Sequence, residues 1–363
     1  MLSALSPAHR SALIAACGVA RRQHVPLYLV GGPVRDLLIQ RPVGDLDLTV
    51  EGDAPSLARK LAAELRAPIR VHARFQTATL ELPDGERVDV ATARAETYRR
   101  PGALPVVRPA DIGADLLRRD FTINALALKL APDFEPRLLD PTGGLRDLQD
   151  GVIRFLHERS PIDDPTRAFR AVRYAHRFGL RIPRETRRAI RGAIEQGCFE
   201  AVSGDRLRRE VEKILSERDR AGAVRRLRNL GLHRILHPSL VVSREVVEQL
   251  RLEERSSPGP SADWMTYLQI WAMELTPGET AELARRLNLS RKDADRLRRA
   301  PPFPRALAAP ALSIAGKNLL AAGVSPGPAI GRALARTLIA RREGTITAEE
   351  ELNYALAILR EDR

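Results

Sequence analysis

The sequence predicts a mixed α/β unit followed by an all-α remainder. Three observations carry this prediction. Between Leu27 and about Leu130, short strand-like runs alternate with helical stretches. Beyond Val152 the strand signal disappears. Residues 27–50 join a strand, a Gly-Gly turn, a short helix and a second strand in unbroken succession. With 363 residues the chain is too long for one small core, so two to four units are expected.

Residues 11–22 read as an ordinary helix burying alanine and isoleucine. Leu27-Tyr28-Leu29-Val30 is a short apolar strand, ended by Gly31-Gly32, where a positive φ costs little and backbone can approach a ligand. Pro33 suits a helix start, so 34–40 is helical until Pro42 and Gly44 break it. Residues 45–50, DLDLTV, alternate polar and apolar with the period of a strand, placing Asp45 and Asp47 on one face and Leu46 and Leu48 toward the core. A helix follows at 56–65, then strands at 70–72, 77–82 and 87–91, the last two joined by a hairpin turn at 83–86. Asp89 lies between Val88 and Val90; it is a third site carboxylate if its face is shared with Asp45 and Asp47, and an exposed strand residue otherwise. Residues 96–115, rich in Pro, Gly and Arg and aperiodic, read as a mobile loop. Arg118 and Arg119 then precede a buried run to Leu130, and the turn cluster 140–145 places the end of the first unit near Val152. The helices beyond are expected to break at 179–183, 256–261, 301–304 and 323–328, and no internal repeat stands out.

Lysine and arginine outnumber the acids 59 to 46, a net charge of +13 that suits a polyanion, nucleic acid above all, or else marks a basic protein without such a partner. Two cysteines, Cys17 and Cys198, make no disulfide framework and point to a reducing cytoplasm. No apolar run approaches the ~18 residues of a membrane span. No basic region precedes an apolar one at the N-terminus, so a signal peptide is not expected.

Two stretches carry candidate chemistry. Two carboxylates on one strand face, beside a Gly-Gly turn and Arg35, suit a hard divalent cation such as Mg²⁺, which takes one or two carboxylates and completes its shell with water and phosphate oxygens. The alternative is a solvated acidic strand edge. Arg118 and Arg119 could hold triphosphate oxygens by bidentate bonding, or simply mark a helix start. In the helix opened by Asp163-Asp164-Pro165, about 100° per residue puts Arg167, Arg170, Arg173 and Arg177 on one face and Ala168, Val172 and Ala175 on another. That stripe is either solvated or binds a nucleotide.

The joined pattern GG-x-VRD, a gap, then D-x-D resembles the signature of the polymerase-β-like nucleotidyltransferases, most closely the bacterial class II tRNA nucleotidyltransferase (CCA-adding enzyme)/poly(A) polymerase family. RRDFTINAL resembles that family's second motif, Asp163-Asp164-Pro165-Thr166-Arg167 its fourth, with aspartate where glutamate is commoner, and residues 203–210 its fifth. GVSPGPAIGRAL, 323–334, looks like a C-terminal segment of the tRNA enzymes. One departure is the Leu156-His157 form ahead of the acidic pair, which occurs in relatives that add only part of the CCA end; His157 itself reads as structural.

The resemblance implies a mixed-sheet nucleotidyltransferase head (1–152), a helical base-binding neck (153–215), a helical body (216–300) and a helical tRNA-binding tail (301–363). It implies template-independent transfer of CMP and AMP from CTP and ATP to the 3′ end of tRNA, releasing pyrophosphate. Asp45 and Asp47 would hold two Mg²⁺ ions, one activating the 3′-hydroxyl and the other stabilising pyrophosphate, with Asp89 a third catalytic carboxylate. Gly32, Arg35, Arg118 and Arg119 would approach the triphosphate, Asp164 and Arg167 would select the base, and Arg170 and Arg173 would steady the nucleotide. The base chemistry is sensible: Asp accepts, Arg donates, and cytosine and adenine both pair an amino group with an unprotonated ring nitrogen, whereas uracil and guanine present the reverse. Between Arg154 and Lys213 fifteen basic residues face nine acids, a fair surface for RNA. No membrane association and no obligate protein partner are expected. A partial CC-adding or A-adding enzyme is the nearest alternative and a poly(A) polymerase the next. An inactive RNA-binding relative should have lost Asp45 or Asp47, and a small-molecule nucleotidyltransferase leaves the basic helical half unexplained.

Overall fold

Strand β1, Leu27–Val30, is buried on both faces because it lies at the middle of a sheet. The computed structural model describes residues 5–98, 100–103, 105–130, 136–256, 263–299, 312–342 and 345–361. Among these, β1 joins β2 (Leu46–Val50), β3 (Ile69–His72), β4 (Thr77–Glu81), β5 (Arg87–Thr92), β8 (Ala127–Leu130) and β9 (Arg137–Leu139) in a mixed sheet ordered β3-β4-β5-β2-β1-β8-β9. Only the β2–β5 pair of this sheet is parallel, with Leu46 opposite Val88, Asp47 opposite Asp89 and Leu48 opposite Val90. A parallel pair needs a long crossover, here helix 54–65 and the β3–β4 hairpin.

The sheet's two faces differ. Leu27, Leu29, Leu46, Leu48, Val88 and Val90 pack under helices α1 (Pro7–Gln23) and α3 (Ala54–Leu65) in one apolar core. Each such side chain, when fully buried, contributes about 1.5–3 kcal/mol. Tyr28, Val30, Ala125, Ala127 and Leu116 form a smaller cluster. Strand alternation puts Asp47 and Asp89 opposite the large core. Local signals set the helices: Ser6 caps α1, Asp53 caps α3, and Pro stands at the first turn of both and of α2 (Gly32–Leu38).

One correction arises here. Residues 96–115 are not an aperiodic loop: β6 (Arg94–Thr97) pairs antiparallel with β7 (Val106–Pro109), and α4 (Ile112–Leu117) follows, capped by Asp111. Glu96 pairs with Arg94 in its own strand and with Arg118 at the end of α4, and no apolar period announces the hairpin. The first compact unit comprises Met1–Arg167 and Phe178–Cys198. Val152 bridges to Arg181, Ile153 N–H donates to the Arg181 carbonyl at 3.0 Å, and Thr186 Oγ1 donates to the Ile153 carbonyl at 3.2 Å, so helix α8 (Arg184–Glu195) belongs with the sheet.

The second unit, Ala168–Arg177 with Phe199–Arg363, carries helices and no strand among its described residues. Its core includes Phe169, Val172, Leu207, Val211, Leu227, Leu268 and Trp271, and Trp271 Nε1 donates to the Val241 carbonyl at 3.1 Å. The expected helix breaks at 179–183 and 323–328 are observed; the one at 301–304 lies outside the described residues, as does that at 256–261 beyond Ser256. No described helix is long and apolar enough to cross a membrane.

Candidate active site

Gly31 sits at the end of β1 with φ 70° and ψ −127°, and its N–H donates to the Leu126 carbonyl at 2.9 Å. A Cβ there would lie 2.5 Å from Arg119 Nη1. Glycine is thus required twice, for backbone conformation and to let Arg119 lie against the turn.

Beside the turn stands the acidic face. Asp47 and Asp89 are register partners on adjacent strands, so their side chains project to the same side of the sheet. Asp45, just before β2, is exposed, with its Oδ1 3.7 Å from Arg87 Nε. Asp89 accepts a short hydrogen bond from Thr79 Oγ1. Among the described residues none hydrogen-bonds to the Asp47 side chain, and its carboxyl is pushed up to about 6. Burial is the main cause, Asp89 and Asp45 add to it, and Arg119 and Arg35 work against it.

The described residues contain no ready-made cage of three His, Cys, Asp or Glu ligands. Mg²⁺ does not require one: it keeps several waters and uses one or two carboxylates with substrate phosphates. A carboxylate pushed toward protonation by burial and by like charges fits such a cation, whose charge would offset that repulsion.

The arginines are arranged in the opposite way, each braced from inside. Asp115, 1% exposed, receives Arg118 Nη2 at 2.7 Å and Arg119 Nη2 at 3.0 Å. Burial alone would raise its pKa; the two guanidinium groups overcome this and hold the carboxyl below the usual range. Arg118 also reaches Glu96 at 2.8 Å, and Arg119 Nη1 the Asn124 carbonyl at 3.4 Å. Arg35 is buried, donating to Asn124 Oδ1 at 2.6 Å and to Asp36 at 2.9 Å, with Phe178 stacked 4.2 Å below its guanidinium. Gly32 lies above it, a Cβ there falling 3.6 Å from Arg35 Nη2.

Asp164 precedes α7 (Thr166–Arg177), its Oδ1 accepting from Thr166 N–H at 3.0 Å and Thr166 Oγ1 at 2.6 Å. Arg167 is 5% exposed and donates to Ser160 Oγ at 2.7 Å, to the Arg118 carbonyl at 2.8 Å and to Tyr98 Oη at 3.4 Å. Burial lowers the pKa of His157, whose neighbouring charges are Asp163, Arg167 and Arg159.

In the second unit Arg173 is buried with its Nε 3.6 Å from Glu210 Oε2 and its guanidinium 4.7 Å over the Tyr174 ring; Arg170 is half-buried, and Arg177 pairs with Glu217 at 2.7 Å. Arg167 and Arg173 are therefore buried rather than solvated, each met by groups distant in sequence, whereas Arg177 at the end of α7 is exposed. The residues that sequence reasoning missed are Asp115, Glu96, Tyr98, Asn124 and Ser160. Asn124 lies inside RRDFTINAL and was there to be found; the others lacked any local signal.

Comparison with known proteins gives concordant matches. The model of the poly A polymerase head domain matches residues 27–154, and that of a probable RNA and SrmB-binding site of polymerase A matches 179–242. The CC-adding tRNA nucleotidyltransferase of Deinococcus radiodurans is 36% identical over 345 residues, covering 91% of this chain and 88% of the relative. The A-adding tRNA nucleotidyltransferase of Geobacter sulfurreducens is 44% identical over 226 residues, 62% of this chain, but the match takes in 26% of that longer relative. The structure of a Thermotoga maritima CCA-adding enzyme complexed with tRNA is similar, with a TM-score of 0.70, 30% identity and coverage of 99% of this chain and 97% of that one.

Proposed function

The chain belongs to the tRNA nucleotidyltransferase/poly(A) polymerase family, and we propose that it adds CMP and AMP, from CTP and ATP, to the 3′ end of tRNA without a template. The 3′-hydroxyl oxygen attacks the α-phosphorus, the bond to the β-phosphate oxygen breaks, and pyrophosphate leaves. The observation that carries this reading is the register of Asp47 with Asp89 beside Gly31 and Arg119.

Asp45 and Asp47 are the residues that would hold Mg²⁺, with Asp89 alongside. When bound, the metal supplies Lewis-acid stabilisation of the attacking and leaving oxygens. Gly31 and Gly32 bring backbone close to the triphosphate. Arg119 and Arg118, fixed by Asp115, present guanidinium groups toward it at little further cost in side-chain ordering. Arg35 supports the turn from beneath through Asn124. Asp164, oriented by Thr166, accepts from the base's amino group, while Arg167 donates to the ring nitrogen. Arg170 and Arg173 continue the same helix and steady the nucleotide, Arg173 being held by Glu210. We assign 1–152 to chemistry, 153–215 to base reading, 216–300 to a helical body and 301–363 to tRNA binding. The buried free thiols Cys17 and Cys198 support a cytoplasmic location.

The test is extension of a tRNA lacking its 3′ CCA by CTP and ATP with Mg²⁺. Addition to tRNA, and none to unrelated RNA ends, supports the assignment; long A tails on any RNA would point to a poly(A) polymerase. A second reading, addition of only CC or only A, is supported by the names of the Deinococcus and Geobacter relatives. Offering each NTP separately to tRNAs ending before CCA, after C and after CC separates the two.

A further inference from the structure

Arg167 has five N–H donors in a rigid plane, and three are committed within the described residues: one to Ser160 Oγ, and two to the Arg118 carbonyl and Tyr98 Oη. Ser160 and Arg118 pin its two terminal nitrogens. Tyr98 acts differently, because it touches the guanidinium with both its hydroxyl and its ring, whose centroid is 5.9 Å from the guanidinium carbon. Tyr98 is itself fixed, its hydroxyl donating to Glu96 Oε2 at 3.0 Å. Burial, with Glu96 adding and Arg167 opposing, pushes the phenol up to about 12, so it keeps its proton at neutral pH. The other oxygen of Glu96 holds Arg118 at 2.8 Å and Arg94 at 3.2 Å. One carboxylate at the end of β6 thus links an arginine assigned to the triphosphate with the arginine assigned to the base.

We propose that Tyr98 is a positioning residue for base selection: held by Glu96, it fixes the plane of Arg167 so that the two uncommitted N–H groups keep one direction. This deepens the base-reading assignment of Arg167 and rests on it. A guanidinium free to turn could offer a donor to cytosine or adenine yet step aside for the ring N–H of uracil or guanine. Loss of Tyr98 should therefore harm discrimination more than it harms the chemical step.

The experiment compares Tyr98→Ala, Tyr98→Phe, Arg167→Ala and the Tyr98→Ala/Arg167→Ala pair, measuring kcat and KM for all four NTPs together with Tm. Tyr98→Ala should lower the preference for CTP over UTP and ATP over GTP by about three- to tenfold, the scale of one weak hydrogen bond. The change should fall mainly on KM, with Tyr98→Phe intermediate. In the Arg167→Ala background, removing Tyr98 should change selectivity no further. Parallel loss for all four nucleotides, tracking a lower Tm, would overturn the proposal in favour of a purely structural tyrosine. Selectivity altered by Arg167→Ala but not by Tyr98→Ala overturns the role of Tyr98 alone. Selectivity untouched by Arg167→Ala overturns the base-reading assignment itself, and the role of Tyr98 with it.

Discussion

The acidic face and the arginine bracket of the first unit solve opposite problems. Asp47 has no hydrogen-bond partner among the described residues and is pushed toward protonation by burial and by Asp89 and Asp45. Arg35, Arg118, Arg119 and Arg167 each have two or more partners supplied by the protein. Asp47 is left without a partner of its own; the arginines are already held in place. The difference teaches how to tell a residue that awaits a cation from one that is pre-organised for an anion or a base: the first is strained alone, the second is satisfied alone. Substitution should then separate them, since removing an acid costs catalysis without stability, and removing an arginine or its brace costs both.

The largest effect is expected at the acids. Asp45→Ala or Asp47→Ala should lower nucleotide addition by on the order of 10²–10³-fold, the scale for a group that stabilises developing charge, with no fall in Tm or tRNA affinity. Undiminished turnover in Mg²⁺ by either variant would remove the acidic face from the mechanism. Arg167→Ala comes next. It should reduce kcat/KM for CTP and ATP by roughly ten- to a hundredfold, weaken rejection of UTP and GTP, and lower Tm, because Ser160 and the Arg118 carbonyl lose their donor. Weakened tRNA binding with nucleotide preference intact would instead make this helix face an RNA-backbone contact.

Much of this contrast was legible in the sequence, though unevenly. The turn at Gly31-Gly32, Pro33 at the start of α2 and the alternation of 45–50 are local, and each was read where it stands. The pairing of Asp47 with Asp89 was not, because strand order is set by the crossover rather than by either strand. The braces of the arginines were invisible for the same reason: Arg167 and Arg118 are joined across 49 positions, and Arg35 and Asn124 across 89. Charge itself misled at α7, where arginines suggest solvent until their distant partners are known. The β6–β7 hairpin escaped because backbone pairing, with no apolar period to announce it, joins its strands.

Asp115→Asn sharpens the comparison from the other side. It removes the carboxylate that fixes Arg118 and Arg119, and breaking a buried pair of this kind costs about 3 kcal/mol. Urea denaturation should record that loss; unchanged stability would mean the bracket is not held from within. The smallest effect is a gain. Because the folded-state pKa of Asp47 stands near 6 rather than 3.8, its ionisation opposes folding. Its contribution is favourable below about pH 4 and is lost as pH rises through about 6. The full shift is worth at most about 3 kcal/mol. In EDTA, Asp47→Asn should melt higher than the parent at pH 7.5 and no higher at pH 4. A lower Tm for the variant at pH 7.5 would contradict an uncompensated acid.

The central claim, that the acidic face awaits a cation while the arginines do not need a ligand to be in place, is tested most directly by a Mg²⁺ titration of Tm across pH 4 to 8. The account predicts that Mg²⁺ raises Tm at pH 7.5, that the effect fades as pH falls below about 6, and that it is absent in an Asp45→Asn/Asp47→Asn variant yet retained in Arg167→Ala. A shift of equal size in the double-asparagine variant would place the cation elsewhere and contradict the account.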